Sequence, residues 1–323
     1  MKKYTEFVTE ELLTEKLLLI NNGKKYGQIV FLAGGAGSGK GFAGMNFLNG
    51  SDFKTRDVDS WKSTFLKLSR FEKDISPVLK AGKHKSIKDL LLKNPNDVGM
   101  LHNYVDKFNI KDKTMKLLIQ NMTAPDRLPN IIFDVTLKNT KYMEKIIPEL
   151  EAVGYKSQNV HLVWVLTDYG IAVKANRERP RVVPDDILLD THEGAANTMW
   201  DIVGGKAVRG LNGGIYVILG NRDATISFKE SDGRDYRKAD DDSSAKTRKT
   251  KSEIDGFDFL NKAKLRPSSK PKSRIVIKDF KYLTYKEPNK TPNTSSKIKI
   301  QLLTWITNNV PFTTAIKVFQ DQY

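Results

Sequence analysis

The segment Gly34-Gly35-Ala36-Gly37-Ser38-Gly39-Lys40-Gly41 constrains this chain more than any other stretch. It follows an apolar run, Ile29-Val30-Phe31-Leu32-Ala33, and leads into a stretch that reads as a helix, Phe42 to Leu48. Strand, Gly-rich turn and helix, in that order, are the setting of a phosphate-binding loop. Glycines let the backbone wrap a phosphate with its N–H groups turned inward, and the helix N-terminus adds partial positive charge. Lys40 stands where it can reach the β- and γ-phosphates of a nucleotide. A bare flexible turn is the alternative, and the in-register lysine and flanking elements speak against it. The candidate nucleotide-binding residues are therefore Gly34, Gly35, Ala36, Gly37, Ser38, Gly39, Lys40, Gly41 and Phe42.

One position departs from the common G-x-x-x-x-G-K-[ST] pattern. Gly41 stands where a Ser or Thr hydroxyl would touch Mg²⁺. The same Gly occurs in loops resembling adenylate kinase, G-x-x-G-x-G-K-G-T, but Phe42 replaces the Thr that follows there. Mg²⁺ keeps several waters, so nucleotide phosphates, water and a nearby carboxylate can still hold it. The expected cofactors are ATP and Mg²⁺. A weak metal site or an inactive loop is the competing expectation.

Composition narrows the class. The chain of 323 residues is long enough for one sizeable core plus an appendage. It has no cysteine, which excludes disulfides and thiolate metal sites, and four scattered histidines argue against a His-rich zinc centre. Met1-Lys2-Lys3 is followed by Tyr4-Thr5-Glu6 rather than an apolar run, and no apolar stretch reaches membrane-spanning length. These features lead to the expectation of a soluble, cytoplasmic protein with no membrane partner. The formal charge is +16. Residues 229–300 carry 20 Lys+Arg against 11 Asp+Glu. That excess suits a polyanionic partner or a solvated basic linker equally.

The periodicity places strands at Gln28–Ala33, weakly at Phe53–Val58, at Ile131–Phe133 ending in Asp134, at Val160–Leu166 and at Gly214–Leu219. Helices are expected over residues 5–22, Lys141–Val153, residues 169–179 and Asp185 to about Val203. Residues 61–122 are Lys- and Leu-rich with helical spacing and are broken by Pro77, Gly82 and Pro95, so they read as a helical insertion. Strands alternating with helices predict an α/β fold with a parallel sheet flanked by helices. The expected organisation is a P-loop domain over residues 1–230, a disordered linker over 231–253, and a basic C-terminal appendage over 254–323. Within the appendage, Ile254–Leu260, Arg274–Leu283, Ile298–Thr307 and Thr313–Gln322 regain order signals.

Four further features accompany the loop. Asp57 and Asp59 lie at the end of the second strand, in Asp57-Val58-Asp59-Ser60-Trp61-Lys62. In an open parallel sheet, ligands sit at the carboxyl ends of the strands, where an Asp can take the proton of an attacking hydroxyl. Asp134, ending the third strand, either orients a metal and its waters or caps the next helix. Thr136 offers a secondary polar contact. Asn176-Arg177-Glu178-Arg179-Pro180-Arg181 carries three arginines in five residues, which suits a phosphate-clamping lid or a solvated basic turn. Phe280, Tyr282 and Tyr285 stand among lysines, either as stacking platforms for bases or as contacts of a docked accessory unit.

Taken together, residues 28–190 resemble the zeta-toxin and polynucleotide 5′-kinase group of P-loop kinases. The pattern is a loop, then D-x-x-R after the second strand, a strand ending in Asp, and an Arg-bearing lid ending in V-P. The matching residues are Gly34–Gly41, Asp59-Ser60-Trp61-Lys62, Ile131–Asp134 and Val173-Lys174-Ala175-Asn176-x-x-Arg179-x-x-x-Val183-Pro184-x-Asp186. The resemblance implies the P-loop NTPase fold and an ATP-dependent kinase with a hydroxyl acceptor. It makes Asp59 the catalytic base, Lys62 the stand-in for an acceptor-holding Arg, and Asp134 a neighbour of the metal. Arg179, with Arg177 or Arg181, would clamp phosphates. Lys40 and Arg177 join the catalytic candidates, Arg181 the nucleotide-binding ones, and Asp57 with Lys62 the acceptor side. The implied acceptor is a nucleic acid or nucleotide. A nucleotide sugar is the second enzymatic option, and a nucleotide-binding module with a basic tail is the non-enzymatic one. The compact, Lys-rich, cysteine-free style is similar to that of phage proteins, which would place the chain in a host cytoplasm.

Overall fold

The computed structural model describes residues 26–48, 53–67, 89–120, 127–220, 226–230, 273–277 and 281–311. The expected segments over residues 5–22, 231–253, Ile254–Leu260 and Thr313–Gln322 lie outside them. Strand β1 (Ile29–Ala33) is buried along its whole length. Ile29, Phe31 and Ala33 enter one apolar cluster, Val30 and Leu32 another. Successive strand side chains point to opposite faces, so both faces of β1 are covered and its sequence is unbroken in apolar residues.

The other strands are β2 (Phe53–Arg56), β3 (Asn130–Val135), β4 (Val160–Leu166), β5 (Ile215–Leu219), β6 (Ile226–Glu230), β7 (Ser273–Ile277) and β8 (Lys281–Lys286). The main sheet has six strands in the order β2-β3-β1-β4-β5-β8. Its first five strands run parallel, and β8 closes the edge antiparallel to β5. β6 and β7 form a separate antiparallel pair. Helices are α1 (Lys40–Asn46), α2 (Ser60–Lys67), α3 (Pro95–Lys107), α4 (Ile110–Gln120), α5 (Lys141–Ala152), α6 (Tyr169–Glu178), α7 (Asp185–Val203) and α8 (Ser296–Asn309). The architecture is thus α/β, with a mostly parallel sheet flanked by helices.

On one face, Met143, Ile146 and Leu150 of α5, Ala195 and Met199 of α7, and Leu302 and Ile306 of α8 join the large cluster. On the other face, Ala43 of α1 and Phe47, just after it, pack on Val30, Leu32 and Val163. A third cluster, Phe65, Leu90, Leu101, Tyr104, Val105 and Ile110, ties α2, α3 and α4 together. The helical segment after β2 therefore has an apolar core of its own.

Part of the expected C-terminal appendage belongs to the main sheet. β8 pairs with β5 from Lys281 to Lys286, and Leu302, Trp305 and Ile306 of α8 are buried. Tyr285 is 5% exposed, and Tyr282 packs edge-on against Phe47 at 5.5 Å between ring centroids. Both rings are thus engaged in packing. Phe280 lies outside the described residues.

The amino end of the sheet is fastened by a polar chain. Gln28 N donates to Asn130 Oδ1 at 2.9 Å, and Gly214 N donates to His161 Nδ1 at 2.8 Å. With Nδ1 accepting, the His161 proton sits on Nε2 and is donated to Gln28 Oε1 at 2.9 Å. Burial pushes the His161 pKa down from 6.5 to about 4, with Lys286 adding to the effect. Between those values the unfolded chain binds a proton that the folded chain refuses. Stability present above pH 6.5 is therefore lost as pH falls toward 4, by about 1.4 kcal/mol per pH unit. Urea titrations across pH 4–7 should show a shallower acid loss in His161→Gln than in the wild type, and equal slopes would contradict this. Among the described residues, no helix is long and apolar enough to cross a membrane.

Candidate active site

The glycine-rich turn follows β1 directly and runs into α1 at Lys40. Gly34 and Gly37 have φ of +147° and +77°, a region that favours glycine. A Cβ would sit 2.6 Å from the Val165 carbonyl oxygen at Gly34, and 2.4 Å from that of Ala172 at Gly37. The turn is thus seated against β4 and α6, and only glycine allows that approach. Lys40 Nζ donates to the carbonyls of Gly34 at 2.6 Å and Gly35 at 3.1 Å, and lies 3.6 Å from Asp134 Oδ1. Ser38 is turned inward, with its Oγ buried and without a hydrogen-bond partner.

Strand register brings the acidic residues to the same edge. Leu32 of β1 pairs with Asp134 of β3, and Arg56 of β2 pairs with Phe133. Asp57, the next residue, thereby falls beside Asp134 at the carboxyl end of the sheet. Asp134 faces a cavity of about 750 Å³. Enclosure there pushes its carboxyl above the ordinary value, Lys40 opposes this, and the negative charges of Asp57 and Asp59 reinforce it.

Asp59 stands across the same cavity, just before α2. Its Oδ1 accepts from Lys62 Nζ at 2.9 Å and its Oδ2 from Arg181 Nη2 at 2.8 Å. Enclosure raises its pKa, but Lys62 and Arg181 outweigh that and hold the carboxyl below its ordinary value. Lys62 is 5% exposed, so its ammonium is a built-in partner of this carboxylate. Asp57 Oδ1 accepts the Asp59 backbone N–H at 2.8 Å, which shapes the turn carrying Asp59.

The arginine-rich segment links α6 to α7. Asn176, fully buried, donates Nδ2–H to the Val183 carbonyl at 2.8 Å and accepts the Val183 N–H at 3.0 Å. These two bonds close residues 177–183 into a loop, and Val182 N donates to Leu92 O at 2.9 Å. Arg179 and Arg181 line the cavity. Arg177 does not; it is exposed, with Nη2 3.4 Å from Asp185 Oδ2. Burial and the neighbouring Arg181 push the Arg179 pKa down, while Asp59, Asp134 and Asp57 pull it up.

Of the sequence-derived candidates, Ala36, Lys40, Asp57, Asp59, Lys62, Asp134, Arg179 and Arg181 border this one cavity. Gly41 is exposed at the start of α1. Phe42 packs against Phe47 on the second face of the sheet. Sequence reasoning missed three contributors. His192 of α7 is 3% exposed and reaches the loop backbone. Arg56 hydrogen-bonds Tyr142 and donates Nη2–H to Thr114 Oγ1 at 2.9 Å, joining β2 to α4 and α5. Leu137, buried at φ +58°, turns the chain after β3. None of the three belongs to a local motif, and His192 and Arg56 make their contacts with residues distant in sequence.

The loop suits phosphate groups: its glycines make a close-fitting turn, Ser38 Oγ is an unspent polar atom, and Lys40 supplies charge. For a divalent metal the chain offers Asp134 with Asp57 beside it. Among the described residues, no group of three or more His, Cys, Asp or Glu could hold a metal ion. Phosphate oxygens and waters would have to complete the shell, as Mg²⁺ permits.

Asn176→Ala should open the loop. Losing a buried partner costs about 1–3 kcal/mol, so amide hydrogen exchange over residues 177–183 should quicken while β1 and β4 stay protected. Unaltered exchange in that loop would contradict the assignment.

No protein-family model and no curated protein matches the chain by sequence. Among solved structures, the chain is similar to AvrRxo1-ORF1 in complex with ORF2 and ATP, with a TM-score of 0.38 and 12% identity. That match covers 71% of this chain and 64% of the other, so the chain spans just under two thirds of that relative. A second similar structure comes from the PezAT chromosomal toxin–antitoxin system of Streptococcus pneumoniae, with a TM-score of 0.36 and 16% identity. It covers 67% of this chain and 77% of the other.

Proposed function

We propose that the protein is an ATP-dependent kinase that transfers the γ-phosphate to a hydroxyl on a nucleotide or nucleic acid. The observation that carries this reading is the convergence of Lys40, Asp134, Asp59, Arg179 and Arg181 on one cavity at the carboxyl edge of the sheet. The glycine-rich loop and Lys40 would bind the phosphates. The acceptor oxygen would attack the γ-phosphorus as its bond to the bridging oxygen breaks and ADP departs with the electron pair. Asp59 would align the hydroxyl and receive its proton. A carboxylate held low by Lys62 and Arg181 is a weak base, so it takes the proton late, when the new P–O bond has made the hydroxyl acidic. Arg179 would stabilise charge on the transferring group. Asp134 would be the protein group to hold Mg²⁺, which would supply positive charge to offset that of the phosphates.

The helices between residues 61 and 122 would recognise the acceptor, since α3 forms one wall of the cavity through Val98, His102 and Asn103. A cavity of about 750 Å³ is of the size that encloses small ligands. That favours a nucleotide-sized acceptor, a nucleotide sugar included, over the body of a polymer. The formal charge of +16 keeps a nucleic-acid end in the test set. Gly41 supports the non-enzymatic alternative of a nucleotide-binding module, because the loop lacks the metal-touching hydroxyl.

Transfer of labelled γ-phosphate from ATP to a panel of nucleotides, nucleotide sugars, and DNA and RNA ends distinguishes these readings. Lys40→Ala should abolish transfer and weaken ATP binding in calorimetry without unfolding the protein. Equal ATP affinity in that variant would remove the basis of the proposal.

Asp59→Asn should keep ATP binding and lower turnover by about 10²–10⁴-fold, the range for a lost acid–base group. If Asp57→Asn inactivates while Asp59→Asn does not, the base is Asp57. Arg179→Lys keeps the charge but loses the planar fork, so kcat should fall more than nucleotide affinity. Unchanged turnover in Arg179→Lys and Arg179→Ala alike would refute the lid assignment.

A further inference from the structure

His192 lies on α7, 156 residues away in sequence from the loop it touches. Its Nε2 is 2.9 Å from the Ala36 carbonyl oxygen, and its ring is 3% exposed. A Cβ built on Gly35 would fall 2.1 Å from His192 Cδ2, 2.3 Å from Nε2 and 2.5 Å from Cγ. Gly35 thus lies flat against the imidazole face. Tyr169, the first residue of α6, packs edge-on against the same ring at 5.6 Å between centroids. The ring is held between Tyr169 and the loop.

We propose that His192 is the positioning residue of the phosphate-binding loop, fixing the Ala36–Gly37 peptide so that the loop amides face the nucleotide. The inference rests on the nucleotide reading above.

A carbonyl can only accept, so the ring donates Nε2–H to Ala36 O. Burial holds the His192 pKa down at about 4, opposed by the Ala36 hydrogen bond and reinforced by Lys40. The ring is therefore neutral near pH 7, with its one proton committed at Nε2. An Ala36 carbonyl pinned to the buried ring cannot turn toward a phosphate, where it would repel the anion. The same helix begins at Asp185, just after the arginine loop closes at Val183, and lends Ile187, Asp190 and Thr191 to the cavity wall. A shift of α7 would move the loop, the arginine segment and its own part of the cavity wall together.

The constraint is also reciprocal. Position 35 is glycine because the imidazole occupies the space of a side chain, not because its backbone requires one: Gly35 is absent from the positive-φ glycines. Gly35→Ala should therefore fail through His192, and removing the ring should make room for the methyl group.

The test measures binding of ATP by calorimetry, with thermal stability followed in parallel, for the full chain. His192→Phe keeps a ring but loses the donor, and should weaken ATP binding about tenfold, the equivalent of one lost hydrogen bond of 1.4 kcal/mol. His192→Gln can restore an N–H at that reach, and should bind within about threefold of the wild type, a smaller change than losing the bond. Gly35→Ala should bind far more weakly than the wild type, and Gly35→Ala/His192→Ala should bind as His192→Ala alone does. Wild-type-like affinity in a folded His192→Phe, or equal losses for Phe and Gln, would overturn the inference. So would a double variant as weak as the sum of its parts. If Lys40→Ala loses ATP while His192→Phe does not, only the His192 role fails. If the wild type binds no ATP, the nucleotide reading fails and this inference with it. Should the variants at 192 prove unfolded, Gly35→Ala and Gly35→Ser alone decide: retained affinity in either contradicts close packing on the ring.

Discussion

The pairing of Leu32 with Asp134 across β1 and β3 is the constraint from which the site follows. A parallel pair sends both chains in one direction, so the turn after β1 and the acid ending β3 must emerge at the same edge. The glycine turn then folds back far enough for Lys40 to lie between its own loop carbonyls and Asp134. β2 joins in register on the far side of β3 and delivers Asp57 and Asp59 to that edge. No loop has to search for this arrangement. It is set by the parallel pairing of β3 with β1, which is buried along its whole length, and of β2 with β3.

Charge is the second organising element. Asp59, Asp134 and Asp57 face Lys40, Lys62, Arg179 and Arg181 around one cavity. Enclosure favours the neutral form of a carboxyl, and at Asp134 it outweighs Lys40, 3.6 Å away, with Asp57 and Asp59 adding to it. Asp59 goes the other way because two cations hold its two oxygens. Two acids on one rim are thereby given opposite tendencies, Asp59 toward the charged form and Asp134 toward the neutral one. Asn176 and His192 do the quieter work of holding the arginine segment and the glycine turn where these charges meet.

Much of this was legible because the signals are local. An apolar run into a glycine turn with an in-register lysine, an Asp after an apolar strand, and arginines before Val183-Pro184 are all readable within a dozen residues. β1, β4 and α7 match their expected bounds closely for the same reason. What stayed hidden depends on tertiary approach. Nothing near His192 in sequence signals Ala36, and Arg177 could not be separated from Arg179 and Arg181 until α6 ended and the loop closed. β8 reads as part of a polar, basic tail. Only its antiparallel pairing with β5 and the burial of Leu283 and Tyr285 reveal it as sheet. The aromatic residues of that tail were ambiguous because a ring in a half-buried edge strand and a ring for base stacking look alike in sequence.

The most direct test of the central claim is a crystal structure of the protein with a non-hydrolysable ATP analogue and Mg²⁺. The account predicts the triphosphate wrapped by residues 34–40. Lys40 Nζ should have turned from the Gly34 and Gly35 carbonyls to phosphate oxygen, and the γ-phosphate should point into the cavity toward Asp59 and Arg179. A nucleotide bound elsewhere on the chain, or a γ-phosphate directed away from Asp59, would contradict it.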